Sequence, residues 1–137
     1  MKTIIVLPYL AALSLVIEHE KQLNVISAEP NCFVSPNFCK NHLHLKFDDL
    51  EDKHETFARQ SNYVMPEMSD IEKIAEFEKQ NPVDMVHCMA GVSRSPAIAY
   101  FIYRLRGNSK EDSLAKVTNE YTKPNTRIIR LAEEYLC

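Results

Sequence analysis

Hydrophobic and polar positions alternate strictly over residues 42–49, which is the clearest strand pattern in the chain. Leu43, Leu45 and Phe47 fall on one face, because successive side chains of a strand point to opposite sides. The opposite face is polar and carries His42, His44, Lys46 and Asp48. By the same parity, Asp49 lies on the inward side just after the apolar positions. The pattern predicts a half-buried strand that ends in an acidic turn.

Other segments of the chain predict further strands and helices. Apolar runs at residues 3–7, 23–27 and 83–87 are predicted to be buried strands. Helices are predicted from the first strand through Glu20, from Pro66 to about Asn81, and over residues 95–106 and 109–121. The second and fourth of these helices begin at capping patterns, Ser69-x-x-Glu72 and Ser109-x-x-Asp112. A final amphipathic helix has Ile128, Leu131, Ala132 and Tyr135 on one face.

Strands that alternate with helices predict an α/β fold. We expect a single three-layer domain over residues 1–137, with a mainly parallel central sheet of about four to five strands and helices on both faces. The loop after the central strand would then open at the carboxyl edge of the sheet, where ligands usually bind. The long polar segment from Leu50 to Met65 is predicted to be a loop near that edge.

Composition narrows the class of protein. A hydrophobic share of 45% and a charged share of 26% are typical of a globular domain, and no segment is long enough to span a membrane. The net charge of −3 disfavours a nucleic-acid partner. The four cysteines, Cys32, Cys39, Cys88 and Cys137, are too sparse for a disulfide framework, so we expect reduced thiols and a cytoplasmic protein. No membrane partner is expected.

The nine residues 87–95 carry the candidate chemistry. They read His-Cys-Met-Ala-Gly-Val-Ser-Arg-Ser and lie between a predicted buried strand and a predicted helix. Backbone N–H groups at such a junction favour an anion, and they also favour the thiolate form of Cys88. The fork of Arg94 suits two oxygens of a tetrahedral oxyanion. Gly91, one of only two glycines in the chain, lies inside this loop.

The string His-Cys-x-x-Gly-x-Ser-Arg-Ser resembles the signature of the cysteine-dependent protein tyrosine phosphatase superfamily, in its dual-specificity-like branch and particularly its compact bacterial members. Weaker resemblance covers most of the chain, including the Leu-Lys-Phe-Asp-Asp-Leu strand end, the Pro66 helix and the Pro124-Asn125 helix start. The resemblance implies a phosphomonoester hydrolase that works through a cysteinyl-phosphate intermediate and needs neither a metal nor a cofactor.

The resemblance also implies roles for individual residues. Cys88 would attack phosphorus, while Arg94 and the amides of the loop hold the equatorial oxygens. The amides are those of Met89, Ala90, Gly91, Val92 and Ser93. Ser95 is expected to donate a hydrogen bond to the sulfur and so ease its departure. His87 is expected to order the loop, and Asn125 to cap the last helix or to brace the active-site loops.

The general acid is less well determined, since the Trp-Pro-Asp form of the larger relatives is absent and the chain has no tryptophan. Asp49 is favoured by strand parity and by its match to the aspartate that follows the Leu-x-Phe-x pattern. Asp48 and Asp52 remain alternatives. A zinc site made of Cys32, Cys39, His42 and His44 is disfavoured, because their spacing fits no common pattern.

The expected partner is a phosphorylated protein or peptide, with phosphotyrosine as the first choice, and phosphate, sulfate or vanadate would fit the same loop. A phosphoinositide, another phospholipid headgroup or an RNA 5′ end is the alternative substrate. A phosphate-binding module without catalysis is a third possibility, which predicts a damaged nucleophile or arginine; both residues are intact. Redox regulation through Cys32, Cys39 or Cys137 is left open.

Overall fold

The computed structural model of the chain describes residues 2–137 and contains one parallel sheet. Its strands are β1 (Ile5–Pro8), β2 (Asn24–Ala28), β3 (Asn41–Leu45) and β4 (Met85–Cys88), in the spatial order β1-β4-β2-β3. Ile5 and Val25 both pair with Met85, so β4 lies between β1 and β2. The predicted α/β class and the parallel sheet are confirmed, with four strands.

Residues 2–137 also form six helices. They are α1 (Tyr9–Glu18), α2 (Glu55–Arg59), α3 (Met68–Gln80), α4 (Arg94–Leu105), α5 (Lys110–Val117) and α6 (Thr126–Leu136), and 3-10 turns lie at Pro36–Phe38 and Asp52–His54. Within residues 2–137, no helix has the length and apolar character needed to cross a bilayer.

Alternation along the two central strands divides the core into two layers. Val25 and Met85 face α1 and pack with Ala12 and Val16. Their neighbours Ile26 and Val86 belong to the larger core formed with α3, α4 and α6. Every residue of β2 and β4 is buried, as expected of parallel strands covered on both faces. The sheet is therefore the middle of three layers.

Several element boundaries differ from the sequence prediction. Helix α3 is capped by Glu67 and Asp70, because the Glu67 N–H donates to Asp70, and the predicted Ser69 and Glu72 pair lies inside the helix. The predicted Ser109 cap is confirmed, with its Oγ 3.1 Å from the N–H of Asp112. Helix α5 ends at Val117 rather than Tyr121, since the hydroxyl of Thr122 binds the Val117 carbonyl and begins a turn.

Segments 50–65 and 29–39 lack a clear hydrophobic periodicity, yet both are more ordered than the sequence indicates. The polar segment 50–65 holds a 3-10 turn and the short helix α2, over a small apolar cluster of Leu50, Ala58 and Met65. The face of β3 predicted to be polar and outward is covered by residues 29–39. Phe33 packs on His44 with ring centroids 4.0 Å apart, and His42 and His44 are half-buried as a result.

All four strands are parallel, so their carboxyl ends meet at one edge of the sheet. Pro8, Ala28, Leu45 and Cys88 end the strands there. The segments that follow, including the turn after β3 and the start of α4, therefore converge at this edge. This edge positions the candidate site.

Packing of α4 against the sheet predicts the effect of a core truncation. Phe101 has no exposed surface and contacts the ring of Tyr135 edge-on. Phe101→Ala should lower the free energy of unfolding by about 3–5 kcal/mol, through lost burial and the cavity that remains. The control is Leu10→Ala in α1, where the side chain is 76% exposed, and its expected effect is within about 0.5 kcal/mol. Chemical denaturation measures both, and equal losses would contradict the assignment of the core.

Candidate active site

Residues 88–94, here called the cysteine loop, turn from β4 into α4. Cys88 is only 2% exposed, and its Sγ lies 3.1 Å from the hydroxyl oxygen of Ser95. The backbone N–H of Gly91 donates to the same sulfur at 3.3 Å. These donors stabilise negative charge on sulfur, so the predicted neighbourhood of Cys88 and Ser95 is present.

Four carbonyls of the cysteine loop have donors elsewhere in the protein. The Cys88 carbonyl lies 3.3 Å from Nδ1 of His87. The other three accept backbone N–H groups, Met89 from Tyr9 at 3.1 Å, Val92 from Lys123 at 2.8 Å and Ser93 from Asn125 at 3.0 Å. All the peptide bonds are trans, and a trans peptide directs its N–H opposite to its carbonyl. The N–H groups of Met89, Ala90, Ser93 and Arg94 therefore point away from those donors and into the loop.

Gly91 makes this tight curvature possible. Its φ of +72° lies in the left-handed region, which costs a residue with a Cβ about 1–2 kcal/mol. A Cβ at this position would also lie 2.8 Å from the nitrogen of Pro8 and 3.0 Å from the carbonyl carbon of Leu7. The loop approaches the end of β1 so closely that only glycine fits.

Arg94 is buried at 7% exposure at the start of α4. Its Nη1 donates to the Phe47 carbonyl at 3.0 Å and its Nη2 to a carboxylate oxygen of Glu29 at 2.8 Å. Among the described residues its buried Nε has no hydrogen-bond partner. A buried donor without a partner is costly, so this nitrogen is available to an anion that enters the loop.

Glu29 is a site residue that the sequence analysis missed. It follows β2 directly, and its side chain forms the ion pair with Arg94 while its carbonyl lies 2.7 Å from Nε2 of His44. The available signal was its place at the carboxyl end of a predicted strand. The Pro30-Asn31 turn signal concealed it, because that pattern is typical of an exposed turn.

The three candidate acids have different surroundings. The inward position predicted for Asp49 is wrong, because β3 ends at Leu45 and strand parity does not extend to this residue, which is exposed. Its Oδ1 accepts hydrogen bonds from the Ser93 hydroxyl at 2.7 Å and the Asn125 amide at 2.9 Å. Asp48 accepts the N–H of Val64 at 2.8 Å. Asp52 instead forms ion pairs with two arginines of α6. Of the three, only Asp49 contacts the cysteine loop, which favours it as the acid.

Asn125 has both functions that the sequence left open. Its Oδ1 accepts the N–H of Ile128 at 3.0 Å and so caps α6. Its Nδ2 donates to Asp49 and, at 3.1 Å, to the Leu50 carbonyl. Because its own N–H holds the Ser93 carbonyl, this one buried residue joins the turn after β3 to the cysteine loop.

A buried chain of polar groups lies behind Cys88. The Ser27 hydroxyl is 2.6 Å from Nε2 of His87 and 2.8 Å from Nε2 of His42. If His87 donates from Nδ1 to the Cys88 carbonyl, its Nε2 must accept from Ser27, and Ser27 must then accept from His42. Burial lowers the pKa of His87, which favours the neutral ring that these hydrogen bonds require.

A cavity of about 440 Å³ lies beside the cysteine loop. Its walls include Asp49, Val92, Ser93 and Lys123, so the favoured acid and the loop border one space. Over residues 2–137 no cluster of three or more His, Cys, Asp or Glu side chains is arranged to hold a metal ion.

Comparisons with known proteins identify the fold. No family model matches the chain, and no curated protein sequence matches it. Among solved structures, a mouse protein assigned to the dual specificity phosphatases and complexed with zinc tungstate aligns with a TM-score of 0.65 and 16% identity, over 93% of this chain and 78% of that one. The Yvh1 phosphatase domain from Chaetomium thermophilum gives 0.62 and 19%, over 95% and 88%.

PTPMT1 in complex with PI(5)P aligns with a TM-score of 0.58 and 16% identity, over 96% of this chain and 86% of that one. The chain therefore has the fold of the dual-specificity phosphatases and related cysteine-based phosphatases. This agrees with the resemblance carried by the motif. At these identities, the likeness concerns the fold.

The close approach of Gly91 to β1 predicts that an alanine substitution lowers stability more at Gly91 than at Gly107. Gly107→Ala should cost about 1–2 kcal/mol of stability from its positive φ alone, since nothing lies within 4 Å of the added Cβ. Gly91→Ala should cost more, because the loop must also move away from Pro8. Chemical denaturation of the two variants measures both losses. Equal losses in Gly91→Ala and Gly107→Ala would contradict this account.

The half-buried His42 predicts a pH dependence of stability. Burial, with smaller contributions from His44 and His87, lowers the pKa of His42 from 6.5 to about 4. The unfolded chain takes up this proton at higher pH than the folded chain, so the contribution of His42 is complete above pH 6.5 and is lost as the pH falls toward 4.

His42→Gln, which keeps an N–H donor for Ser27, should therefore lose less stability than the wild type between neutral pH and about pH 5. The exposed His19 supplies the matched control, His19→Gln, which should retain the wild-type dependence. Denaturant unfolding at both pH values gives the comparison. The same pH dependence in all three proteins would exclude this role of His42.

Proposed function

We propose that the protein is a metal-independent phosphomonoester hydrolase of the protein tyrosine or dual-specificity phosphatase type. The observation that carries the proposal is the buried Nε of Arg94, which has no hydrogen-bond partner within residues 2–137 and belongs to a loop in which the Gly91 N–H donates to the Cys88 sulfur. A tetrahedral oxyanion would satisfy these donors together. The fold shared with phosphatases supports the same reading.

In the first step, the Cys88 thiolate attacks phosphorus, so that a sulfur–phosphorus bond forms and the ester oxygen–phosphorus bond breaks. The loop N–H groups and Arg94 hold the equatorial oxygens, where negative charge must be stabilised. Asp49, as the general acid, gives a proton to the leaving oxygen. The products are the free alcohol or phenol and a cysteinyl-phosphate.

In the second step, water attacks phosphorus and the sulfur–phosphorus bond breaks. Asp49, now ionised, accepts the proton from this water, which restores the acid. The Ser95 hydroxyl, 3.1 Å from Sγ, donates a hydrogen bond to the departing thiolate. Inorganic phosphate leaves, and every group returns to its initial state.

A phosphorylated protein or peptide, with phosphotyrosine preferred, is the proposed substrate, and the cytoplasm is the proposed compartment. The net charge of −3 supports this choice over polyanionic partners, and the four free thiols agree with a reducing environment. The second candidate is a phosphoinositide or a related lipid headgroup. It is supported by the shared fold of PTPMT1, which was solved with PI(5)P.

Hydrolysis of an aryl phosphate in the presence of a metal chelator tests the reaction. Cys88→Ser should abolish turnover, because a serine hydroxyl lacks both the nucleophilicity and the leaving ability of a thiolate. Arg94→Lys should lower kcat by about 10²–10³, the loss seen when one oxyanion donor is removed. Cys137→Ser is the matched control, since this thiol is exposed and distant in sequence from the loop.

Activity that needs a divalent metal, or that survives Cys88→Ser, would contradict the mechanism. The substrate is tested separately with three probes, a phosphotyrosyl peptide, PI(5)P and a triphosphorylated RNA. The proposal expects the highest kcat/KM for the peptide. Preference for PI(5)P would instead select the second candidate.

A further inference from the structure

Hydrogen bonds join the turn that carries Asp49 to the cap and the first residue of α6. Asp49 accepts the amide of Asn125 at 2.9 Å. Two residues later, Oε2 of Glu51 accepts both the N–H of Thr126 at 2.9 Å and its hydroxyl at 2.7 Å. The path of the backbone after β3 is therefore set by the first turn of α6.

Asp52 continues this attachment through two guanidinium groups. Its Oδ1 accepts hydrogen bonds from Nη1 of Arg127 at 2.7 Å and from Nη2 of Arg130 at 2.8 Å. Its Oδ2 accepts a hydrogen bond from Nε of Arg130 at 2.7 Å. The contact with Arg130 is bidentate, which is the strongest geometry for this pair. We call these contacts the Asp52 bridge.

Arg127 extends the Asp52 bridge to the far end of segment 50–67. Its Nε donates to the Pro66 carbonyl at 2.7 Å, and its Nη2 donates to Glu67 at 3.0 Å. The Arg127 side chain is only 11% exposed. A single buried guanidinium thus joins both ends of the segment, and the segment cannot swing away as a unit without breaking these contacts.

The Asp52 bridge stays charged under ordinary assay conditions. The hydrogen bond from Arg130, followed by that from Arg127, lowers the pKa of Asp52 to about 2. The carboxylate is therefore ionised at any pH near neutrality. Asp49 itself is exposed, and the side-chain hydrogen bonds from Ser93 and Asn125 both reach its Oδ1. The Asp52 bridge lies three residues further along the same turn, so it holds the backbone that carries Asp49.

We propose that Asp52, Arg127 and Arg130 are positioning residues that hold the carboxyl group of Asp49 at the leaving-group oxygen. The inference rests on the proposed function. These three residues do not contact Cys88 or Arg94, so loss of the bridge would leave the nucleophile and the oxyanion donors in place. It would displace only the acid.

Dependence on the leaving group distinguishes this role from a general effect on folding. Dinitrophenolate leaves without protonation, whereas phenolate needs a proton from the acid. Values of kcat/KM report the steps through departure of the leaving group and exclude the hydrolysis of the cysteinyl-phosphate, which both substrates share. Asp49→Asn should lower kcat/KM for phenyl phosphate by about 10²–10⁴. Asp52→Asn and Arg130→Gln should each lower it about tenfold, a part of that loss, and should change kcat/KM for dinitrophenyl phosphate less than about twofold.

Glu134→Gln is the matched control, because it removes the other carboxylate bound to Arg130, at 2.7 Å, and leaves the Asp52 bridge intact. Its ratio of the two kcat/KM values should equal that of the wild type. Equal losses on both substrates in Asp52→Asn and Arg130→Gln, or no loss on either, would overturn the positioning role alone. If Asp49→Asn shows no dependence on the leaving group, the assignment of the acid fails and the positioning role fails with it.

Discussion

The orientation of peptide groups in the cysteine loop is the constraint on which the other features of the site depend. A loop that directs several N–H groups toward one point must direct the matching carbonyls away from it, and buried carbonyls need donors. These donors come from three different parts of the chain, the junction of β1 and α1, the end of β4 and the link before α6. Placing β1 beside β4, and α6 beside the loop, supplies them.

The positive charge of Arg94 is balanced by a carboxylate before any ligand enters the site. The guanidinium of Arg94 is buried against one carboxylate, that of Glu29, and a buried ion pair needs further hydrogen bonds to offset its loss of hydration. The Phe47 carbonyl supplies one, while Nε stays without a partner. The arrangement holds Arg94 in one geometry and keeps one of its donors available. Fixed donors of this kind lower the reorganisation that a reaction requires.

Local patterns in the sequence predicted the parts of the site that are contiguous. The string at 87–95 singled out Cys88 and Arg94, because that signal spans a few residues. The match to the Leu-x-Phe-x pattern favoured the aspartate that contacts the loop, whereas strand parity failed for it, since β3 ends at Leu45 and Asp49 is exposed. Glu29 was missed because its partner lies 65 positions away. The cover over His42 and His44 was missed for a related reason, since alternation assigns a residue to a face and carries no information on what packs there.

Three of the four outward carbonyls are held by main-chain N–H groups, those of Tyr9, Lys123 and Asn125. A main-chain donor does not depend on the side chain that it carries. Mutation at Tyr9 or Lys123 can therefore change the side chain freely and keep the bond, with proline as the exception because it has no N–H. Side-chain substitutions at these positions therefore leave much of the hydrogen bonding that holds the loop unchanged. Such a scaffold is compatible with a fold that is shared at 16–19% identity across more than 90% of this chain.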